Sequence, residues 1–145
     1  MTMKLSTGLR NKLLDTNSLK TVFNLGFIKL YSGSAPTDAD QAPTGTLLCT
    51  ISNNSTGTGL TFGTAASGVI SKNPAETWSG VNAASGTAAY FRHVAVGDTA
   101  ALSTTEARIQ GVIALAGGEI NLASLVLTAA ATQPIDSYNI ALPTL

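Results

Sequence analysis

Charge is what this sequence has least of. Only 11% of its 145 residues are Asp, Glu, Lys or Arg, against about 25% in an average soluble domain. Eight basic and eight acidic side chains cancel, so no net field draws the chain to nucleic acid or to an anionic membrane. A surface with so little charge has little to keep protein copies apart. The composition favours a protein that works inside an assembly, with an ordinary soluble β-domain as the alternative.

Cysteine and histidine occur once each. A single cysteine excludes an intramolecular disulfide. Cys49 shares a strand face with Leu47 and Ile51, which predicts a small buried residue and not a nucleophile. His93 lies mid-strand beside Phe91, and we interpret it as a packed structural histidine. One histidine and one cysteine cannot build a typical zinc site.

Residue patterns typical of metal-binding and catalytic sites are absent as well. The one close acidic pair, Asp38 and Asp40, lacks the glycine and glutamate that complete a calcium loop. No two carboxylates are marked out for glycoside hydrolysis, and Gly57–Gly59 is not followed by the lysine of a phosphate loop. We therefore predict no enzyme activity, no catalytic residue, no metal and no cofactor.

Long apolar runs are missing too. No stretch reaches the ~20 apolar residues that a membrane helix requires, and Gly8, Arg10 and Lys12 interrupt the start of the chain where a secretion signal would be apolar. The sequence thus predicts a protein that stays in the cell that makes it until lysis.

The block from Gly86 to Leu127 organises what is present. Residues 108–115 alternate, with Ile109 and Ile113 on one face and Arg108 and Gln110 on the other, as in a strand with one apolar face.

Gly117-Gly118 then interrupts the pattern, and Ile120 and Leu122 resume it with Glu119 outward. We expect a β-hairpin here. In residues 88–96 both faces carry large side chains, so this strand is either covered on both sides or meets a partner chain.

Further strands are predicted at Phe27–Ser32, Thr46–Ile51, Leu60–Phe62, Val69–Ile70 and Ile135–Leu142. Seven to nine short strands without βαβ alternation are typical of an all-β protein. We predict an antiparallel β-sandwich resembling a jelly roll, with a short N-terminal helical segment.

The first 25 residues alone have helical spacing, and Ser6 and Ser18 stand where N-caps are expected. We predict a helical arm over residues 1–25 and a β-sandwich domain over residues 26–145. The arm either packs its leucines on its own domain or docks on a neighbouring subunit. In the second case its candidate contacts are Leu5, Leu9, Arg10, Leu13, Leu14, Leu19 and Phe23.

Five segments carry a resemblance: LSTGLRNKLLDTNSLKTVFNLGFIKLYSG from Leu5, LLCTIS, GTAAYFRH, ARIQG and GGEINLASL. Their overall pattern resembles small structural proteins of tailed bacteriophages. The resemblance implies a capsid decoration or cement protein, a dimer or trimer that binds the major capsid protein on the outer shell of the virion. It also implies synthesis in the host bacterial cytoplasm.

A tail- or fibre-associated protein that recognises a host surface glycan is the alternative. Tyr31, Trp78 and Tyr90 would then be exposed aromatic platforms for sugars.

The loops Gly33–Gly45 and Ser52–Gly59 are further candidate contacts with a shell. An ordinary cellular binding domain is a third class, which would associate with no particle.

Overall fold

A computed structural model describes residues 3–144, and within them the chain forms two short helices and twelve strands. The helices are α1 (Thr7–Asp15) and α2 (Leu19–Val22). The strands are β1 (Lys4–Leu5), β2 (Phe27–Tyr31), β3 (Leu47–Asn53), β4 (Val69–Ser71), β5 (Trp78–Val81), β6 (Gly86–Thr87), β7 (Tyr90–Val94), β8 (Arg108–Ala114), β9 (Ile120–Asn121), β10 (Val126–Leu127), β11 (Thr132–Pro134) and β12 (Asn139–Ala141). The prediction of an all-β fold with a short N-terminal helical segment is confirmed.

Most strands belong to one long antiparallel sheet with the order β1-β8-β7-β2-β3-β5-β11, and β9 lies beside β8. Two separate ribbons, β6–β10 and β4–β12, have two strands each. This pairing does not establish the two packed sheets of a jelly roll, so the sandwich arrangement stays a prediction.

The hydrophobic core lies on the face of the sheet that the sequence pattern of β8 indicated. Ile109 and Ile113 are buried there with Phe91 of β7 and Leu30 of β2. Because alternate strand residues point to the same face, these side chains from three neighbouring strands pack into one cluster.

The predicted hairpin after β8 is wrong, because β9 runs parallel to β8 with Ile113 opposite Ile120. Glu119, expected to point outward, turns back and accepts a hydrogen bond of 2.7 Å from the backbone N–H of Val112. That N–H is on the edge of β8 where an antiparallel return strand would pair. The carboxylate occupies this position, and Ile120 is buried in the core.

The N-terminal segment is part of the same core. Leu9 and Phe23 are 0% and 1% exposed and lie in the cluster formed by the strands. Strand β1 pairs with β8, with Lys4 opposite Gln110. Of the two interpretations of this segment, the structure shows packing on its own domain, so Leu9 and Phe23 are not free to contact another subunit.

Ser6 joins the segment to the sheet, and we expect Ser6→Ala to lower the free energy of unfolding by about 2 kcal/mol. Its buried hydroxyl accepts hydrogen bonds from the N–H groups of Leu9 (3.2 Å) and Arg108 (2.9 Å) and donates one of 2.8 Å to the carbonyl of Glu106. The exposed N-cap Ser18 provides the control, since Ser18→Ala removes a cap that water can replace. Urea denaturation would measure both variants, and equal losses would contradict the structural role of Ser6.

Candidate partner-binding groove

An apolar groove of about 580 Å³ lies between the helical segment and the β4–β12 ribbon. Its large apolar lining residues are Leu13 and Leu19 from the helices and Val69, Ile70, Ile140 and Leu142 from the ribbon. Binding sites in proteins are commonly concave and mostly apolar in this way.

Local sequence shapes both walls. Ser18 caps α2 and forms a capping box with Thr21. This capping box starts α2 as a second helix, separate from α1. The ribbon pairs Ile70 with Ile140, and both side chains are 8% exposed. Leu142 follows at the next same-face position and stays 69% exposed.

The groove carries a single charged lining residue, Lys20. Both ion pairs found in residues 3–144 belong to Arg108, so the Lys20 ammonium has no acidic partner there. An apolar surface with one cation at its rim is suited to another protein surface, and it holds no acid–base pair for chemistry.

The predicted arm contacts fall into three environments. Leu13 and Leu19 line the groove. Leu14 and Leu5 are exposed by 87% and 37%, and Arg10 is exposed with a hydrogen bond of 2.9 Å to the Thr7 hydroxyl. Leu9 and Phe23 are in the core, as described above.

The prediction of exposed aromatic side chains is wrong for Tyr31, Trp78 and Tyr90, which are 5%, 1% and 1% exposed. The Tyr31 and Tyr90 rings stack on each other with centroids 5.1 Å apart, and burial raises the pKa of Tyr31 to about 12. The indole N–H of Trp78 donates to the Glu76 carboxylate at 2.8 Å. All three rings are buried, so none of them offers a stacking platform to solvent.

The loop Gly33–Gly45 lies on its own sheet. Its carbonyls at Pro36, Asp38 and Gln41 accept hydrogen bonds from Gln110 and Arg92. This loop covers the second face of β7 and β8, which decides between the two alternatives for residues 88–96 in favour of cover by the chain itself.

Both chemically reactive side chains are enclosed. Cys49 is 0% exposed, and burial raises the pKa of its thiol to about 11, so it carries no thiolate near neutral pH. His93 is 1% exposed and packs against Phe23, Phe62, Trp78 and Tyr138. The expectations of a buried Cys49 and a packed His93 are confirmed.

The carboxylates of Asp38 and Asp40 both accept hydrogen bonds from within the protein. Asp38 accepts from the N–H groups of Asp40 and Gln41. The Asp40 carboxylate accepts from the N–H of Thr7 at 2.7 Å and from its hydroxyl at 2.6 Å. Among residues 3–144 no group of three His, Cys, Asp or Glu side chains is placed to hold a metal ion.

Within the same range no helix is long and apolar enough to cross a bilayer.

Sequence reasoning missed the ribbon wall of the groove. The shared face of Tyr138, Ile140 and Leu142 was visible as an alternation, but the pairing with Val69 and Ile70 joins segments about 70 residues apart. No local signal in either segment identifies the other as its partner.

No protein-family model matches this chain. No curated protein and no solved structure matches it either. The surface and the interior of the molecule therefore provide the arguments for its function.

Proposed function

We propose that this chain is a non-enzymatic structural protein that attaches to another protein through the apolar groove. The observation that carries the proposal is the groove itself, about 580 Å³ in volume, with six large apolar side chains and one cation. Exposed apolar patches that are large and continuous mark interaction sites in soluble proteins.

The composition supports the same proposal. With 11% charged residues and a net charge of zero, association with a partner displaces few charged groups from water, which keeps the desolvation cost low. Further exposed side chains, among them Leu14, Val96 and Leu102 at 67–87% exposure, extend the apolar character beyond the groove.

We further propose, from the resemblance to small phage structural proteins, that the partner is the major capsid protein and the role that of decoration or cement. A protein that binds the assembled shell and not free subunits stabilises the shell by mass action. Many copies that each bind weakly around one shell can stabilise the shell together, without a tight contact at any single site. The alternative of glycan recognition loses its basis in Tyr31, Trp78 and Tyr90, because all three are buried.

Leu142→Glu tests the groove, and we expect it to weaken binding to the partner shell by about 30-fold, because a carboxylate would face an apolar surface. Co-sedimentation of the purified protein with shells of the particle that encodes it would measure this. Val126→Glu is a matched control, since Val126 is 67% exposed and lies on the β6–β10 ribbon. Equal binding by Leu142→Glu and wild type would show that the groove is not the contact.

Copy number distinguishes the proposed location from its alternatives. Quantitative mass spectrometry of purified particles would find hundreds of copies for a shell protein and a handful for a tail protein. A cellular binding domain would be absent from the particles.

A further inference from the structure

Strand β12 has one hydrogen-bonding edge that no other part of residues 3–144 covers. Two hydrogen bonds flank its ladder with β4, from Lys72 N–H to the Tyr138 carbonyl (3.0 Å) and from Leu142 N–H to the Gly68 carbonyl (2.9 Å). Hydrogen-bonded positions alternate along an antiparallel pair, so residues 138, 140 and 142 point their backbone groups at β4. Asn139 and Ala141 point theirs away from it, and both residues are exposed.

The two ends of the long sheet are protected in ways that β12 is not. At one end β1 has only two residues, and one of them is Lys4. At the other end β11 contains Pro134, which has no N–H to offer to a further strand. Short, charged and proline-containing edges prevent strand addition. The β12 segment Asn139–Ala141 contains neither a charge nor a proline, and the next outward position, Pro143, limits the open edge to these residues at its C-terminal end.

We propose that β12 is a dimerisation strand that pairs antiparallel with β12 of a second copy of this chain. The edge is complementary to itself. With Ile140 placed opposite its counterpart on a two-fold axis, Asn139 lies opposite the second copy's Ala141, and Ala141 opposite the second copy's Asn139. Each of these two pairs exchanges two backbone hydrogen bonds, so the contact satisfies four N–H donors and four carbonyl acceptors.

This arrangement joins two ribbons into one four-stranded sheet with the order β4-β12-β12-β4. A three-stranded or larger sheet with an apolar face is more stable than an isolated ribbon. The two Ile140 side chains would be neighbours on the same face, since Cα atoms of a non-hydrogen-bonded pair are about 4.5 Å apart. Ile140 also lines the groove, so dimerisation would bring two grooves together. The pairing rests on the β12 edge alone and does not require the proposed function.

The nature of the edge residues favours a second copy as the occupant. Asn139 and Ala141 are small and uncharged, and the chain has no net charge, so two identical edges approach without repulsion. Exposed Leu142 lies next to the pair and adds apolar surface to the contact. The two-fold register uses both outward N–H groups and both outward carbonyls of Asn139–Ala141 in each copy, which a strand of arbitrary sequence and direction does not guarantee.

Ala141→Pro tests the proposal, because proline removes the Ala141 N–H, which is unused in the ladder with β4. By symmetry the dimer loses two of its four hydrogen bonds, and we expect dimerisation to weaken at least about tenfold. Sedimentation equilibrium from about 5 to 500 µM would measure the dissociation constant, in a range where weak dimers populate. Ala141→Ser keeps the N–H and is the matched control, expected to dimerise like wild type.

Circular dichroism and thermal unfolding of each variant would establish that the monomer is intact. If Ala141→Pro does not fold, Asn139→Pro removes the other outward N–H and gives the same test. A wild-type protein that stays monomeric throughout the concentration range would overturn the proposal. So would a folded Ala141→Pro variant whose dimerisation is unchanged.

Discussion

Arg108→Met is expected to lower the free energy of unfolding by about 3–5 kcal/mol, because breaking a buried ion pair leaves its partner uncompensated. The Arg108 side chain is fully buried, and the Asp98 side chain is 3% exposed. The guanidinium Nε lies 2.7 Å from the Asp98 carboxylate, and Glu106 accepts from the same guanidinium. Methionine fills a similar length of apolar space but supplies no positive charge.

The loss extends to the loop that covers this face of the sheet. The Arg108 guanidinium also donates to the carbonyls of Ala39 (3.3 Å), Asp40 (3.2 Å) and Ala101 (2.8 Å). Buried carbonyls without donors cost free energy of their own. We therefore expect amide hydrogen exchange within Gly33–Gly45 to accelerate along with the global loss.

Urea denaturation at neutral pH would measure the effect, with Arg10→Met as the control. Arg10 is exposed, so its replacement should change the free energy of unfolding by no more than about 0.5 kcal/mol. Adding Asp98→Asn to Arg108→Met removes the orphaned charge and should restore part of the loss. A loss below about 1 kcal/mol for Arg108→Met would show that the buried pair contributes little.

The same residue shows how far the sequence predicts the fold. Alternation in residues 108–115 correctly identified β8 and its core face, because Ile109 and Ile113 recur with the period of a strand. The sequence did not show what covers the other face, which carries Arg108 and Gln110. Whether a polar side chain meets water or the carbonyls of a distant loop depends on where that loop lies, and Pro36 is 74 residues away from Gln110.

Helix starts were predictable for the complementary reason. The side chain of Ser6 bonds to a backbone N–H three residues on, and Ser18 does the same with Thr21. Hydrogen bonds between residues three apart can be predicted from the local sequence. The burial of Tyr90 was not, because its hydroxyl is paired with the backbone of Thr44, 46 residues away.

The candidate groove and the open edge of β12 were predictable from the sequence only in part. The alternation of Ile140 and Leu142 indicated a strand, but the partner strand β4, the neighbouring helices and the unpaired side follow only from tertiary structure. Neither a motif nor a charge pattern marks such a surface, because apolar side chains in a groove and in a core have the same chemistry.

His93 should make the protein lose stability as the pH falls from about 6.5. Its ring is held by the four aromatic side chains described above, at centroid distances of 4.4–6.3 Å. The Tyr138 hydroxyl, 3.3 Å from Nδ1, is its only hydrogen-bond partner within residues 3–144, and Nε2 has none. Burial of the imidazole among these uncharged rings lowers the pKa of His93 to about 3. Burial also raises the pKa of Tyr138.

The direction of the pH effect follows from proton binding. In the unfolded chain His93 has a pKa of about 6.5, so between pH 6.5 and 3 the unfolded state binds a proton that the folded state excludes. Folding stability is then fully present above pH 6.5 and decreases as the pH falls, by about 1.4 kcal/mol per pH unit. At pH 5 we expect a loss of about 2 kcal/mol relative to pH 7.5, a value that is the same for any folded pKa below 4.

His93→Phe is the matched variant, because it keeps an aromatic ring in the cage and removes the titrating group. Chemical denaturation of both proteins at pH 5.0, 6.0 and 7.5 should show a slope for wild type and a nearly flat response for the variant. Keeping the pH at or above 5 separates the histidine from carboxylates, whose ordinary pKa values are near 4. His93 is the one histidine of the chain, so its ring proton resonances report it directly. A native-state resonance that titrates near pH 6.5, or an identical slope in His93→Phe, would contradict this account of the core.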